Sequence, residues 1–406
     1  MKHVCHLVTH LRLGAGRYIN DLAIEQLRRG DFVSVCLSDD AEGNWKSHPA
    51  MVAELRNAGV SVVTIGDMFH RNTEALRVAS LHLKDYAFGF ADRTIVHSHM
   101  AMGIAVARDA DAPTVVATCH GWNPARPAAQ DNQDARAFML ANGVTSPSTY
   151  WAERVSRLSG ISNVKVMPYG FNLNRYPELD PATRRGVQAL GEGLGRKWGK
   201  PYSCLTRRII CLAELTARKG QDVLISAMPH VWGIYPEVEL YLAGNGDTRE
   251  SLRAQAFKID PEEQRIFFRG FLEKPYRILH HFDLMCLPTR SDNQPVSIVE
   301  AMLAGLPVVS TTVGGIPEQI AMGNGGVCVP PDDAVALASA LISQLDRRGQ
   351  GGSTIRHIFD IRNHVADMDR WYESAAQAAI ESSQAPSWQL NVGMSINVSL
   401  TPRNTT

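Results

Sequence analysis

The sequence predicts an α/β protein made of two doubly wound parallel-sheet domains, and three observations carry that prediction. Short runs rich in Val, Ile and Leu alternate with helical patterns of roughly ten residues, the signature of parallel strands covered on both faces. The chain has 406 residues, whereas one domain usually takes about 100–200. A segment over residues 170–181, carrying Asn, Pro and Tyr, interrupts the alternation midway.

The elements follow in order. The first half places strands near residues 4–9, 32–37, 60–64, 94–97, 114–119 and 164–168, with helical patterns such as 18–29 and 48–57 between them. After the interruption, residues 183–208 hold seven cations (Arg184, Arg185, Arg196, Lys197, Lys200, Arg207 and Arg208) against one acid, Glu192. That run reads as a solvated face, or as a contact for an anionic acceptor or a membrane surface. The second half repeats the alternation with strands near 208–212, 238–242, 266–269, 284–287, 308–310 and 326–328. A last amphipathic helix covers 363–379, and the Ser-, Asn-, Thr- and Gln-rich remainder reads as a disordered tail. The division expected is a Rossmann-like domain over 1–172, a second over 173–362, a closing helix over 363–380 and a tail over 381–406, with a cleft between the domains.

Composition narrows the function. Lys plus Arg and Asp plus Glu each number 41, so no overall field attracts nucleic acid. The seven cysteines are scattered, odd in number and without a CxxC pair, as expected of reduced thiols in a cytoplasmic protein. No apolar run approaches the ~18 residues of a membrane span, and the first residues read as a short strand, not a signal peptide. The sequons at Asn397 and Asn404 then carry no meaning.

The most informative stretch is LPTRSDNQPVSIVEAMLAGLPVVSTTVGGIP, from Leu287 to Pro317. Asp292 is followed after seven residues by Glu300, at the start of a helix that Gly305 suits as a left-handed cap. Strand, acidic loop, helix and strand make one parallel α/β unit, with both carboxylates where such sheets bind ligands. Arg218 and Lys219 precede a helix that begins near Gln221, where cations oppose the macrodipole unless an anion sits between them. Gly244-Asn245-Gly246, Phe271-Leu272 after Gly270, and Gly314-Gly315 end three further strands. In the first half, Gly14-Ala15-Gly16 leads from strand one into a helix and lets backbone N–H groups face a phosphate. His120 ends an apolar strand and faces the presumed cleft. His97-Ser98-His99 offers two imidazoles with no third or fourth metal ligand evident. Asp109-Ala110-Asp111 lies at the wrong end of its strand for a ligand site and reads as a surface loop.

With those residues in place, the chain resembles the glycosyl transferases group 1 family, retaining nucleotide-sugar glycosyltransferases of the GT-B fold. RLGAGRYINDLA is similar to the family's glycine-rich first loop and helix, and HSHMAMG and TCHGW to its next loops. MPYGFNLNRYP is similar to the interdomain segment, which usually has Asn before the glycine. AELTARKG, YLAGNGDTRESL, FRGFL and the unit from Asp292 to Glu300 with EAMLAGLPVVSTTVGGIPE match the donor half. The resemblance implies an acceptor domain followed by a donor domain, with the 363–379 helix crossing back to the first. It implies that Arg218 and Lys219 hold the donor diphosphate, that Glu300 binds ribose hydroxyls, and that Asp292 stands near the transferring sugar. Pro295, Val296 and Ser297 would touch sugar and phosphate, Phe271 and Leu272 would flank the base, and Gly16 would approach the diphosphate. Gly14 and Gly246 join the expected substrate contacts, and His120 would line the reaction centre.

The implied function is retaining, metal-independent transfer from a UDP- or GDP-linked sugar to a glycan or lipid-linked acceptor, in surface polysaccharide or lipopolysaccharide synthesis. No cofactor, metal or nucleic acid is expected, and attachment to the cytoplasmic membrane face would be peripheral. Two departures bear on geometry: Asp292 is one methylene shorter than the usual glutamate, and Ala15 stands where adjacent glycines are common. The alternatives are an NAD-dependent oxidoreductase, suggested by Gly14-x-Gly16 with Asp39 or Asp40 ending the second strand, and a GT-B-fold epimerase or scaffold. In the oxidoreductase reading Ile19 replaces the third glycine, and the pair Asp292 and Glu300 goes unexplained.

Overall fold

A computed structural model describes residues 1–39, 46–68, 70, 72–87, 93–121, 128–176, 206–323, 325–345 and 355–384. The first half carries strands β1 (His3–Val8), β2 (Phe32–Ser38), β3 (Ser61–Gly66), β4 (Thr94–Ser98), β5 (Thr114–Thr118), β6 (Gly143–Ser146) and β7 (Val164–Val166). They pair in the order β3-β2-β1-β4-β5-β6-β7, every pair parallel. Helices α1 (Leu13–Arg28), α2 (Pro49–Ala58), α3 (Thr73–Ala87), α4 (Ala101–Asp109), α5 (Ala128–Phe138) and α6 (Thr149–Ser159) make the crossovers. Strands β1, β4 and β5 are buried at every position, which is why their sequences run apolar instead of alternating. α2 shows local control of an element: Pro49 opens it, and Gly59 closes it at φ 94°.

The second half holds β8 (Arg208–Leu212), β9 (Glu239–Ala243), β10 (Ile266–Gly270), β11 (Leu284–Leu287), β12 (Val308–Thr311) and β13 (Gly326–Val329). This sheet runs β10-β9-β8-β11-β12-β13, again all parallel. Its helices are α7 (Gln221–Trp232), α8 (Arg249–Ile259), α9 (Val296–Leu303), α10 (Ile316–Gly323) and α11 (Ala334–Leu345). In each sheet strand order reverses beside the first strand, between β1 and β4 and between β8 and β11. The crevice at such a reversal, beyond the carboxyl ends of the strands, is where open α/β sheets bind ligands. Both crevices border the same cleft.

A final helix, α12 (Ile361–Gln384), returns to the first sheet and packs on α1 and β5. Phe171 donates its N–H to the Phe359 carbonyl at 2.7 Å, and Ile361 donates to the Phe171 carbonyl at 3.0 Å. The outgoing and returning segments therefore run side by side. Tyr372 of α12 is fully buried against the first domain, where it accepts from Gln26 Nε2 at 3.1 Å and bonds His97 Nδ1 at 2.8 Å.

Some expectations need adjusting. β6 went unread because Gly-Val-Thr-Ser is short and lacks a branched apolar run. α12 continues through residues 381–384, past the point where the sequence predicts the tail to begin. Residues 177–181 of the first linking segment, 183–205 of the basic run and the tail beyond 384 lie outside the described residues. Asp111 sits on the surface at φ 62°, paired with Lys84 at 2.5 Å, as a loop residue should. Among the described residues no helix is long and apolar enough to cross a membrane.

Replacing Tyr372 by Ala empties a fully buried aromatic site and leaves His97 and Gln26 each short of a partner. The expected cost is about 3–5 kcal/mol, read as a lower midpoint in equilibrium urea unfolding.

Candidate active site

The cleft between the domains has a volume of about 510 Å³. Its floor comes from the loop after β11. There Gly314, at φ 56°, lies so close beneath the Asp292 carbonyl that an added Cβ would sit 1.8 Å from that oxygen. Only glycine allows this approach, and it fixes the backbone that presents Asp292. The Asp292 carboxylate meets Lys219 Nζ at 2.5 Å through Oδ2 and Arg218 Nη1 at 3.4 Å through Oδ1. Arg218 is further fixed by donating to the Ser291 carbonyl at 2.8 Å.

Two helices aim their N-termini into this space. α9 begins after Pro295 and α1 after Arg12, and neither end is capped by a side chain. Arg12, Gly14 and Ala15 line the cleft from one side, and Pro295, Val296 and Ser297 from the other. The two ends are so close that a Cβ on Gly14 would fall 2.6 Å from a Val296 methyl. Unpaired N–H groups and the positive ends of two macrodipoles thus meet beside two cations, the arrangement that binds phosphate-type anions.

Glu300, on the first turns of α9, is buried and accepts from the Tyr176 hydroxyl at 3.0 Å. Burial pushes its carboxyl up to about 7, against the Tyr176 hydrogen bond and the pull of Arg17 and Arg175. Nearby, Arg175 bonds both Asp21 and Glu54, and Arg17 bonds Glu54 at 2.5 Å. Across the cleft mouth the half-exposed Phe271 ring lies 5.6 Å from the His48 ring, with Leu272 beside it on the wall. An aromatic face of this kind can stack a planar ring.

Of the residues singled out from sequence, His120, Arg218, Lys219, Asp292, Pro295, Val296, Ser297, Glu300, Gly14, Phe271 and Leu272 all line the cleft. Gly16 and Gly246 do not. A Cβ on Gly16 would strike the Leu11 backbone at 2.9 Å, and one on Gly246 the Leu215 carbonyl oxygen at 2.0 Å, so both serve packing behind the wall. His120 lies with both ring nitrogens engaged: Nδ1 with the Tyr169 hydroxyl at 2.6 Å and Nε2 with His99 Nδ1 at 2.9 Å. Burial lowers its pKa to about 4, which makes it a neutral imidazole at pH 7. His97 and His99 gain a third imidazole in His6, with ligand atoms within 4.8 Å of one another. A metal there would have to displace hydrogen bonds already made by both nitrogens of each ring.

Sequence reading missed the residues that join the domains. Asn293 accepts from Ser148 Oγ at 2.6 Å and donates to the His120 carbonyl at 2.9 Å. Gln294 accepts from the Tyr169 N–H at 2.9 Å and donates to the Pro147 carbonyl at 3.1 Å. Glu318 of α10 accepts from the Thr149 and Tyr150 N–H groups, capping α6 of the other domain. Their only sequence signal is position, between two acids or after a glycine pair.

A model for the glycosyl transferases group 1 matches residues 206–347, and one for glycosyltransferase family 4 matches residues 13–175. The chain belongs to the GT-B glycosyltransferases. It is similar to a GDP-mannose-dependent monoacylated alpha-(1-6)-phosphatidylinositol monomannoside mannosyltransferase of Corynebacterium glutamicum. The identity is 29% over 277 residues, 64% of this chain and 69% of that one. The GDP-mannose-dependent alpha-(1-6)-phosphatidylinositol monomannoside mannosyltransferase of Mycolicibacterium smegmatis is 31% identical over 252 residues, 58% of this chain and 62% of its own length. Among solved structures, Anabaena HepE in complex with UDP and glucose superposes at a TM-score of 0.71 with 20% identity, covering 91% of this chain and 99% of that one. WaaG, from lipopolysaccharide biosynthesis, superposes at 0.62 with 18% identity, over 94% and 100%. At these identities the structures speak for the GT-B fold alone.

The raised Glu300 pKa has a stability consequence. Between its ordinary 4.5 and about 7 the folded glycosyltransferase holds a proton that the unfolded chain has lost, so stability falls as pH rises through that window. Glu300→Gln has no such proton. Urea unfolding at pH 5 and pH 8 should show wild type losing more stability than the variant over that interval.

Proposed function

We propose that this glycosyltransferase moves a sugar, with retention of configuration and without a metal, from a nucleoside-diphosphate sugar to a lipid-linked glycan acceptor. The observation that carries the reading is the meeting of two uncapped helix N-termini with Arg218 and Lys219 around Asp292. Breaking the bond between anomeric carbon and phosphate builds negative charge on the leaving diphosphate, and this constellation stabilises it by preorganised electrostatics. In the structure the two cations are held by Asp292. An arriving diphosphate offers them a stronger partner and leaves the Asp292 carboxylate beside the sugar ring. There it stabilises the positive charge of an oxocarbenium-like transition state. Glu300 takes the ribose hydroxyls, and Phe271 with Leu272 takes the base. The domain contacts made by Asn293, Gln294 and Glu318 exclude water and favour transfer over hydrolysis.

The two mannosyltransferase relatives, named for GDP-mannose and a phosphatidylinositol monomannoside, support GDP-mannose as donor and a glycolipid as acceptor. HepE was solved with UDP and glucose, so a uridine donor belongs in the same test. A role in lipopolysaccharide or other surface polysaccharide synthesis fits such an acceptor, with peripheral attachment to the membrane. No separate cofactor enters the scheme.

Thermal shifts should be measured with GDP, UDP, ADP, their sugar conjugates and NAD(H). A nucleotide held at ~100 times its dissociation constant stabilises by about 2.7 kcal/mol. One nucleoside diphosphate should do so, and Arg218→Ala and Glu300→Ala should each abolish the shift. With its sugar conjugate and a glycolipid acceptor, mass spectrometry should detect the product, and Asp292→Asn should cut kcat by about a hundredfold or more. Stabilisation by NAD(H) alone, or a nucleotide shift with no acceptor-dependent product, would overturn the transferase reading.

A further inference from the structure

Behind the cleft wall lies a continuous chain of hydrogen bonds that the transfer scheme does not use. It starts at the Tyr169 hydroxyl, passes to His120 Nδ1 at 2.6 Å, and continues from His120 Nε2 to His99 Nδ1 at 2.9 Å. From His99 Nε2 it reaches His6 Nδ1 at 3.0 Å, and from His6 Nε2 the Gln26 Oε1 at 2.7 Å. Gln26 Nε2 then donates to the Tyr372 hydroxyl at 3.1 Å, which bonds His97 Nδ1 at 2.8 Å. His97 Nε2 closes on Thr118 Oγ1 at 2.8 Å. Gln26, His6 and His97 are fully buried, so water cannot complete the bonds that these three make.

A neutral imidazole has one N–H and one acceptor nitrogen, and an amide oxygen only accepts. Burial lowers the pKa of His6 and His120 to about 4 and of His99 well below the ordinary value, so all three rings are neutral at pH 7. Gln26 Oε1 accepts, hence His6 carries its proton on Nε2 and accepts at Nδ1. His99 must then donate from Nε2 and accept at Nδ1, and His120 likewise. The last bond is fixed by the others: the Tyr169 O–H donates to His120 Nδ1. On the far side the logic also closes, since Tyr372 accepts from Gln26, donates to His97 Nδ1, and leaves His97 Nε2–H for Thr118. One amide therefore sets the polarity of the whole chain. With that amide turned over, every bond reverses, each of the three imidazoles carries its proton on Nδ1, and the Tyr169 proton is free to leave His120.

We infer that Gln26, His6 and His99 are positioning residues. Through His120 they commit the Tyr169 proton inward and leave the phenol oxygen as a hydrogen-bond acceptor at the cleft wall for a hydroxyl of the bound sugar. Tyr169 occupies the position before the glycine of the interdomain segment, where the resembling family usually has Asn. Here a phenol long enough to reach the histidine chain stands instead. Its place beside the reaction centre is supported by His120 and Tyr169 both lining the cleft with Asp292. The role assigned to the phenol rests on the transferase reading, while the polarity of the chain does not.

The test uses the full chain with 15N-labelled histidine, and compares wild type with Gln26→Glu, Gln26→Met and Tyr169→Phe. Imidazole 15N spectra should show His6, His99 and His120 all protonated on Nε2. Gln26→Glu keeps an acceptor and should keep that pattern, whereas Gln26→Met should scramble it at all three rings. In the transfer assay Gln26→Met and Tyr169→Phe should each lower kcat roughly tenfold with donor KM within about twofold. The double variant should be no worse than Tyr169→Phe alone, since the chain acts through the phenol. Wild-type imidazoles protonated on Nδ1, or tautomers unchanged in Gln26→Met, would overturn the chain. Losses that multiply in the double variant would overturn its action through Tyr169. The spectra need no turnover: the expected tautomers in a protein that transfers no sugar would count against the transferase reading and uphold the chain.

Discussion

The site exists as one site because two adjacent amides, Asn293 and Gln294, direct both their oxygen and their nitrogen atoms at the other domain. Each bond is buried or nearly so, and a buried amide left without its partners costs more than the bond itself contributes. The pair follows directly on Asp292 and precedes the α9 N-terminus. Whatever holds the amides therefore also holds the carboxylate and the helix end in register with His120 and Tyr169. The chemistry of the donor half is positioned against the first domain by polar side chains, and the apolar cores beneath only supply the platforms.

The charges named in the cleft are paired before any ligand arrives. Asp292 lies between Lys219 and Arg218, and the Asp21, Glu54, Arg17 and Arg175 cluster closes on itself beside Glu300. Paired charges avoid the heavy desolvation cost of isolated buried ions. They also make the Asp292 site exchangeable, because an anion of higher charge competes for the same two cations. The shorter aspartate reaches both cations directly from a loop braced by Gly314.

What the sequence made legible was whatever repeats or stays local. All six strands of the second sheet were readable because each carries an apolar run bounded by turn residues, whereas β6, built of Gly143, Val144, Thr145 and Ser146, offered no such run. Asp292, Pro295, Val296, Ser297 and Glu300 were readable as cleft-lining positions because one βαβ unit places them within nine residues of sequence. Gly16 and Gly246 lie in motifs of the right spelling, yet their contacts are with backbone behind the wall. The histidine chain could not have been read, since His6, Gln26, His99, His120 and Tyr169 come from five segments that only the folded sheet brings together. Asn293 with Ser148, and Glu318 with Thr149, are likewise separated by well over a hundred residues and carry no periodic signal.

The paired crossing at Phe171 and residues 359–361 also decides how the two halves can move. A single connecting segment would act as a swivel, free to twist in any direction. Two connections, bonded to each other in both directions, behave instead like the two knuckles of a door hinge. They permit rotation about the line that joins them and resist torsion across it. Because β1–β7 precede the crossing and α12 packs back on α1 and β5 after it, the second half is in effect a loop of polypeptide carried on that hinge. A swing about that line would bring Asn293, Gln294 and Glu318 back to the same six partners each time the halves shut, a mechanical form of memory written in two strands of backbone.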